Sequence, residues 1–144
     1  MRHLQTEITI HATPEAVWKV LTDFENFPNW NPFIKSINGN QSVGGKLTVQ
    51  IQPPDEKSMT FNPTVLVYEP MKELRWIGKG PIPGLFSGEH YFIIEDQLNG
   101  SVKFTHGEHF SGILVGFMKK MLDRTEIGFQ SMNEVLKKQC EKVN

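Results

Sequence analysis

The sequence is poor in the features that define several large classes of proteins. It has one cysteine, Cys140, so no internal disulfide can form, which is typical of a reducing compartment. The 15 Lys and Arg residues nearly balance the 16 Asp and Glu residues and form no basic block, so a phosphate-neutralising surface for nucleic acid is not indicated. No stretch approaches the roughly 20 apolar residues of a membrane span. We therefore expect a cytoplasmic chain without a transmembrane segment.

The signatures of several common reactions are missing as well. Residues 1–7 contain no uninterrupted apolar run, so no signal peptide is expected. Gly44-Gly45 lacks the spacing of a phosphate-binding loop, and Ser111 lacks the context of a nucleophile elbow. Cys140 lies near the chain end and is not placed like a nucleophile. We expect no cofactor from these residues.

Aromatic residues and methionines are the unusual part of the composition. The chain contains ten Phe, three Trp, two Tyr and six Met among 144 residues. Such residues fill a solid core, or they line a cavity with adaptable side chains that contact a ligand. The length fits one domain that spans residues 1–144.

Alternation and turn residues predict seven strands. Residues 3–11 alternate as a half-buried strand, and Thr13-Pro14-Glu15 then opens a helix, because Thr13 can cap it and Pro14 suits its first turn. A second short helix follows. Six further strands are predicted at 33–37, 44–51, 58–69, 73–78, 88–96 and 101–110. Pro63 places the strand 58–69 at a sheet edge or on a bulge.

A long amphipathic helix is predicted after Gly112, up to about Lys142. Its apolar side chains recur at spacings of three and four residues, and its length would be roughly 45 Å. Gly128 permits a bend or a close approach to the sheet. Together, the elements predict an α+β fold in which a curved antiparallel sheet of seven strands surrounds the C-terminal helix.

Five segments of the sequence occur in an order that resembles one superfamily. They are residues 10–18 (IHATPEAVW), 23–24 with 28–33 (PNWNPF), 73–76 (ELRW), 88–92 (GEHYF) and 106–112 (HGEHFSG). The chain resembles the SRPBCC superfamily, also called the START-like or Bet v 1-like helix-grip fold, and within it the bacterial polyketide cyclase/dehydrase-type subgroup. The resemblance covers nearly the whole length.

The resemblance implies the fold more strongly than the function. Its leading implication is the binding or carriage of an apolar small molecule, such as a lipid, a polyketide or an aromatic compound, between sheet and helix. A cyclase or dehydratase is the first alternative. A protein-interaction module, similar to the relatives that activate a chaperone ATPase, is the second. Fold alone does not choose among them.

Polar residues on the inner face of the last two strands are the candidates for chemistry. In the last strand, His106 and Glu108 share a face with Phe104 and Phe110, which marks that face as inward. If Phe92 pairs with His106, then His90 faces Glu108. A register shifted by one residue would instead turn Tyr91 and Glu89 inward.

Two interpretations of His90, His106 and Glu108 follow. They orient a ligand or act as acid and base, or they form a satisfied hydrogen-bond network that closes the sheet against the helix. A metal site built from them is not expected. The apolar loop at residues 80–86 is a candidate for a pocket mouth or a partner contact. The complete set of predicted ligand-binding residues is Trp30, Phe33, Phe61, Trp76, Phe86, His90, Phe92, His106, Glu108, Phe110, Met118, Met121 and Phe129.

Overall fold

A computed structural model describes residues 1–142 of the chain. Its strands are β1 (Arg2–Ile10), β2 (Ile34–Gly39), β3 (Leu47–Ile51), β4 (Met59–Phe61), β5 (Thr64–Glu69), β6 (Glu73–Lys79), β7 (Ser87–Asp96) and β8 (Val102–Ser111). Its α-helices are α1 (Pro14–Thr22), α2 (Phe27–Trp30) and α3 (Lys119–Glu141), and short 3-10 helices cover Phe24–Asn26 and Ile113–Phe117. The fold is α+β with a long C-terminal helix, as the sequence predicts.

The strands form two antiparallel sheets. One sheet has five strands in the order β1-β8-β7-β6-β5, and the other has three in the order β2-β3-β4. The two sheets meet where Lys46 pairs with Thr64 in an isolated bridge. There the Leu47 amide donates to the Pro63 carbonyl at 2.9 Å.

The predicted strand count of seven is wrong, because the structure has eight strands. The strand predicted at 58–69 is divided into β4 and β5 at residues 62–63. Pro63 has no amide proton to donate to a neighbouring strand, so pairing stops there. Pro63 itself lies in neither strand, and β5, which follows it, is an edge strand whose register shifts between Val65 and Val67.

The C-terminal helix begins later than predicted. The segment after Gly112 is a 3-10 helix, and α3 itself spans 23 residues, or about 35 Å. The backbone of this segment is held by the loop before β7, since the Ile113 amide donates to the Gly84 carbonyl at 3.1 Å. These tertiary hydrogen bonds override the helical spacing of the apolar residues.

Local signals place the other elements. The Thr13 hydroxyl accepts from the Ala16 amide at 3.1 Å and caps α1, as predicted. α3 packs against β1, β8, α1 and α2. At Gly128 the helix lies so close to the Phe33 ring that a side chain would collide with it. This contact fixes α3 against the residue that precedes β2.

Candidate functional site

A cavity of about 370 Å³ lies between the inner faces of the strands and the beginning of α3. Its wall is predominantly apolar, with His90, Glu108 and Thr125 as the polar side chains. The Thr125 hydroxyl donates to the Met121 carbonyl at 2.8 Å, so its proton is already used within the helix. The apolar and glycine wall residues are Val49, Ile51, Met59, Phe61, Pro63, Trp76, Gly78, Gly80, Pro81, Phe86, Gly88, Phe110, Leu114, Met118, Met121 and Leu122.

A pair of glycines makes room for the cavity in the sheet. Gly78 of β6 lies directly opposite Gly88 of β7, and the next inward-facing pair is Trp76 opposite His90. Two glycines side by side remove the side chains that would otherwise fill this part of the face. A side chain at Gly88 would also collide with Glu108 Oε2, so Gly88 lets that carboxyl group lie against the strand.

Eight of the thirteen predicted ligand-binding residues lie in the cavity wall. They are Phe61, Trp76, Phe86, His90, Glu108, Phe110, Met118 and Met121. The other five, Trp30, Phe33, Phe92, His106 and Phe129, are buried in the core outside the wall. Strand alternation predicts which side chains face inward, but it does not predict where along the strands the cavity lies. The cavity occupies only the end of the inward face near Gly88. These five side chains therefore do not line the cavity, contrary to their predicted position in its wall.

Three of those five residues form the layer behind the cavity. Phe129 stacks on His106 with ring centroids 4.1 Å apart, and Phe33 meets Phe129 edge-on at 5.4 Å. This aromatic packing holds the His106 imidazole, which is completely buried. The layer thus supports the polar groups that reach the cavity.

The hairpin of β7 and β8 has the register that places His90 inward. His90 pairs with Glu108, and Phe92 pairs with His106. The alternative register, with Tyr91 inward, does not occur. His90 Nδ1 lies 3.1 Å from Glu108 Oε1, and His90 Nε2 lies 2.7 Å from His106 Nε2. The predicted polar residues therefore form one continuous network.

The direction of this network is fixed at its buried end. The Thr6 hydroxyl donates to the His106 carbonyl oxygen at 2.9 Å, and its own oxygen accepts from Asn133 Nδ2 at 2.8 Å. The amide oxygen of Asn133 consequently faces His106 Nδ1 at 2.9 Å. An amide oxygen can only accept, so His106 carries its proton on Nδ1.

The tautomer of His106 determines that of His90, which in turn determines the protonation of Glu108 at the cavity. A neutral imidazole has one N–H group, so His106 Nε2 accepts a hydrogen bond from the Nε2–H group of His90. His90 Nδ1 is left as an acceptor, and Glu108 Oε1 must be the donor to it. With both imidazoles neutral, the geometry requires a protonated Glu108 whose proton points toward His90.

Burial favours the same protonation states. Desolvation raises the pKa of Glu108 from 4.5 to about 8 and lowers the pKa of His90 from 6.5 to about 3. The pKa of His106 is also well below its usual value, first because of burial and then because of the neighbouring His90, while the bond to Asn133 opposes the shift. All three groups are therefore neutral near pH 7.

The residues that sequence reasoning did not identify are Thr6, Asn133, Gly88 and Thr125. A signal for Asn133 exists, because it follows Phe129 by four residues and so lies on the apolar stripe of the helix. A polar residue on such a stripe is expected to have a buried partner. Gly88 carries no comparable signal.

Other candidate chemistries receive no support from the described residues. Within residues 1–142, no group of three or more His, Cys, Asp and Glu side chains is placed to hold a metal ion. Burial first, and then the charge of Glu141, raises the pKa of the Cys140 thiol to about 12, so it is a poor nucleophile. No helix in the same part of the chain is long and apolar enough to cross a membrane.

The sequence matches a protein family along almost its whole length. The family is described as polyketide cyclase/dehydrase and lipid transport, and the match covers residues 1–141. The chain belongs to this family. No curated protein matches the sequence.

Several solved structures share the fold. The Zhui aromatase/cyclase from Streptomyces sp. R1128 has a TM-score of 0.78 at 12% identity, with 99% of this chain and 96% of that chain covered. A START superfamily protein from Mycobacterium smegmatis has a TM-score of 0.75 at 17% identity, with 99% of each chain covered. At these identities the likeness shows the fold, and the family match agrees with the predicted polyketide cyclase-like membership of the START-like superfamily.

Proposed function

We propose that this family member binds an uncharged, mostly apolar small molecule in the cavity. A hydroxyl or N–H group of the ligand would donate a hydrogen bond to Glu108 Oε2. The volume of about 370 Å³ lies within the roughly 300–1,000 Å³ of small-molecule sites, and apolar walls with few polar groups are typical of such sites.

The orientation of Glu108 is the observation that carries this proposal. Its Oε1 atom is directed to His90, whereas Oε2 lies over Gly88 in the cavity wall and has no hydrogen-bond partner among the described residues. In a protonated carboxyl group that donates through Oε1, Oε2 is the carbonyl oxygen and therefore an acceptor. A polar atom in an apolar cavity is stabilised by a partner, and the ligand would supply the donor.

The charge of the wall supports an uncharged ligand. None of the described wall residues is Lys or Arg, so a carboxylate or phosphate in the cavity would lose its hydration without gaining a counter-ion. The same carboxylate would also face an acceptor oxygen. An alcohol of the same chain length avoids both costs, so the alcohol is the preferred ligand.

A competition experiment tests this preference. Nile red, an uncharged dye that fluoresces in apolar surroundings, reports occupancy, and dodecanol and dodecanoate compete with it. We expect dodecanol to displace the dye at a concentration at least about tenfold lower, because one unpaired buried polar contact costs about 1–3 kcal/mol. Equal potency, or stronger displacement by dodecanoate, would contradict the proposal.

Two substitutions of Glu108 make the test specific. In Glu108→Gln the amide can donate to His90 and turn its oxygen to the cavity, so the preference for the alcohol is retained. In Glu108→Leu the acceptor is gone, so dodecanol should bind more weakly and the preference should narrow to the cost of desolvating the carboxylate. Gly78→Phe is the control for location, because a ring at Gly78 occupies the cavity and should abolish dye binding altogether.

A second candidate function is dehydration or cyclisation of a polyketide-like substrate. It is favoured by the hydrogen bond between Glu108 and His90 at the cavity wall, and by the fold that the chain shares with an aromatase/cyclase. In a dehydration, Glu108 Oε2 would remove a proton from the carbon beside a carbonyl while the Oε1 proton moves to His90. The pair would then return one proton to the leaving hydroxyl, so that water is lost and the pair is restored.

Glu108→Gln separates the two functions. An amide binds as the neutral acid does but cannot accept and return a proton. Turnover of a β-hydroxy ketone substrate would be lost while dodecanol still binds. If turnover is observed and survives in Glu108→Gln, the acid–base role of Glu108 is excluded.

A further inference from the structure

Four apolar side chains are exposed beside the cavity. Their exposed fractions are 87% for Phe117, 70% for Ile113, 58% for Ile82 and 42% for Leu114. We call these four residues the mouth patch. Exposed apolar residues scattered singly are ordinary, but a cluster of them marks an interaction surface.

The mouth patch is continuous and lies at the cavity rim. Its members come from the loop before β7 and from the 3-10 helix before α3. The Ile113 and Leu114 amides donate to the Gly84 and Leu85 carbonyls at 3.1 and 3.0 Å, which joins the two segments. Leu114 also lines the cavity, as does Pro81 next to Ile82.

The charged residues within the two segments that carry the mouth patch are lysines. Residues 77–88 and 110–122 contain Lys79, Lys119 and Lys120 and no Asp or Glu. All three lysines are exposed. Lys119 is held by Asp123 at 2.9 Å, whereas no ion pair is found for Lys79 or Lys120 among the described residues. Exposed apolar side chains framed by lysines are the pattern of a surface that binds anionic lipid.

We propose that the mouth patch docks on the surface of an anionic membrane. Phe117 and Ile113 enter the boundary between headgroups and acyl chains, and Lys79 and Lys120 contact the anionic headgroups. The cavity rim then faces the bilayer, so an apolar molecule can pass between membrane and cavity without crossing water. The docking does not depend on the identity of that molecule.

A second copy of the chain fits the mouth patch less well. A stable protein interface buries about 800 Å² on each partner, and four side chains on two short segments provide only part of that area. Lysine is also depleted at the centres of protein interfaces, whereas it gives affinity at a lipid surface. The described surface therefore favours the membrane.

Vesicle co-sedimentation tests this docking. The full chain is mixed with vesicles of phosphatidylcholine alone, or of phosphatidylcholine with phosphatidylglycerol. We expect binding to the mixed vesicles that weakens as salt is added. Phe117→Ser should lower the affinity by about tenfold, and Lys79→Gln by about fivefold.

Matched controls distinguish docking through the mouth patch from nonspecific binding to the vesicles. Leu98 is 89% exposed in the turn at the other end of β7. Leu98→Ser therefore removes an apolar side chain that is as exposed as Phe117 but lies away from the cavity. Lys72 precedes β6 just as Lys79 ends it, so Lys72→Gln removes a lysine at the far end, where Lys72 Nζ lies 3.6 Å from Glu69 Oε1. Both controls should bind vesicles as the wild type does.

Three results would overturn the proposal. They are no binding to either vesicle, equal losses in the control variants, and a dimer in light scattering that Phe117→Ser dissociates. The last result would assign the mouth patch to a second copy. Nile red binding in vesicle-free buffer is measured on the same variants. Because Phe117 is outside the cavity wall, dye binding should be unchanged, which keeps a failure of docking distinct from a failure of the cavity to bind ligand.

Discussion

The neutral Glu108 makes the stability of the protein depend on pH in a way that one substitution should remove. The folded pKa of Glu108 is about 8, against 4.5 in an unfolded chain. Between these values the folded state keeps a proton that the unfolded state has lost. The contribution of Glu108 to stability is therefore present below pH 4.5 and is lost as the pH rises toward 8.

The buried histidines act in the opposite direction over a different range. The pKa values of His90 and His106 lie below the ordinary value of 6.5, so the unfolded state alone binds protons as the pH falls below 6.5. Their destabilising effect is thus largest at acidic pH. From pH 6.5 to 8 the histidines of the unfolded state lose their remaining protons, which offsets part of the Glu108 effect. Glu108→Gln keeps both histidines, so the difference between this variant and the wild type isolates the one proton of Glu108.

The expected loss can be worked out from that difference of one proton. A full difference of one proton changes the free energy of unfolding by 1.36 kcal/mol per pH unit, and because folded Glu108 is half ionised at pH 8, its contribution falls by about 1.6 kcal/mol between pH 6.5 and 8. Because 14% of the Glu108 side chain is exposed, hydration of the ionised form makes this figure an upper bound. Glu108→Gln cannot ionise, so it should lose no stability over the same range and should gain up to about 0.8 kcal/mol as the two histidines of its unfolded state lose their protons.

Urea unfolding followed by tryptophan fluorescence at pH 6.5 and 8 measures the effect. The control is Glu134→Gln, because Glu134 is exposed on α3 beside the buried Asn133, and this variant should lose stability as the wild type does. If the wild type gains stability over this range as much as Glu108→Gln does, Glu108 is not held neutral. If Glu108→Gln loses as much as the wild type, another group is responsible.

Two further substitutions test the geometry of the site. Gly88→Ala places a methyl group where Glu108 Oε2 lies, so it should weaken dodecanol binding by about tenfold in the dye displacement assay. Its stability should fall little, because the carboxyl group can move aside. In the control Gly78→Ala the added methyl meets one atom of Pro63 at 3.9 Å, so dodecanol binding should be unchanged. Asn133→Leu removes the acceptor of His106 Nδ1 and should lower the free energy of unfolding by about 1–3 kcal/mol in urea, and an unchanged value would contradict the buried hydrogen bond between Asn133 and His106.

Much of the fold could be predicted from local patterns. Alternation identifies the inward face of β8, but it leaves two registers open for the hairpin, because the pattern of one strand does not fix its pairing with the next. The interruption of the strand at Pro63 was visible in the sequence, but its consequence, two strands in different sheets, depends on where β3 lies. The start of α3 differs from the prediction because the Ile113 and Leu114 amides donate to the Gly84 and Leu85 carbonyls, and local patterns do not report such long-range contacts.

The site was predictable only in part, for a related reason. His90 and Glu108 were found because polar residues on an apolar face are conspicuous. Asn133 completes their network through Thr6, which lies 127 residues away in the sequence, and no local pattern reports such a contact. The cavity itself results from Gly88 and its partner glycine, and a missing side chain leaves no periodic signal.

The central claim is that the cavity holds an uncharged apolar molecule at Glu108. The most direct test is to purify the chain gently from its native host, record its intact mass under native conditions, and extract and identify what is released. We predict one molecule per chain, uncharged and with a hydroxyl or N–H group, in the wild type and in Glu108→Gln but not in Gly78→Phe. A stoichiometric fatty acid or phosphorylated compound, or an adduct that persists in Gly78→Phe, would contradict the account.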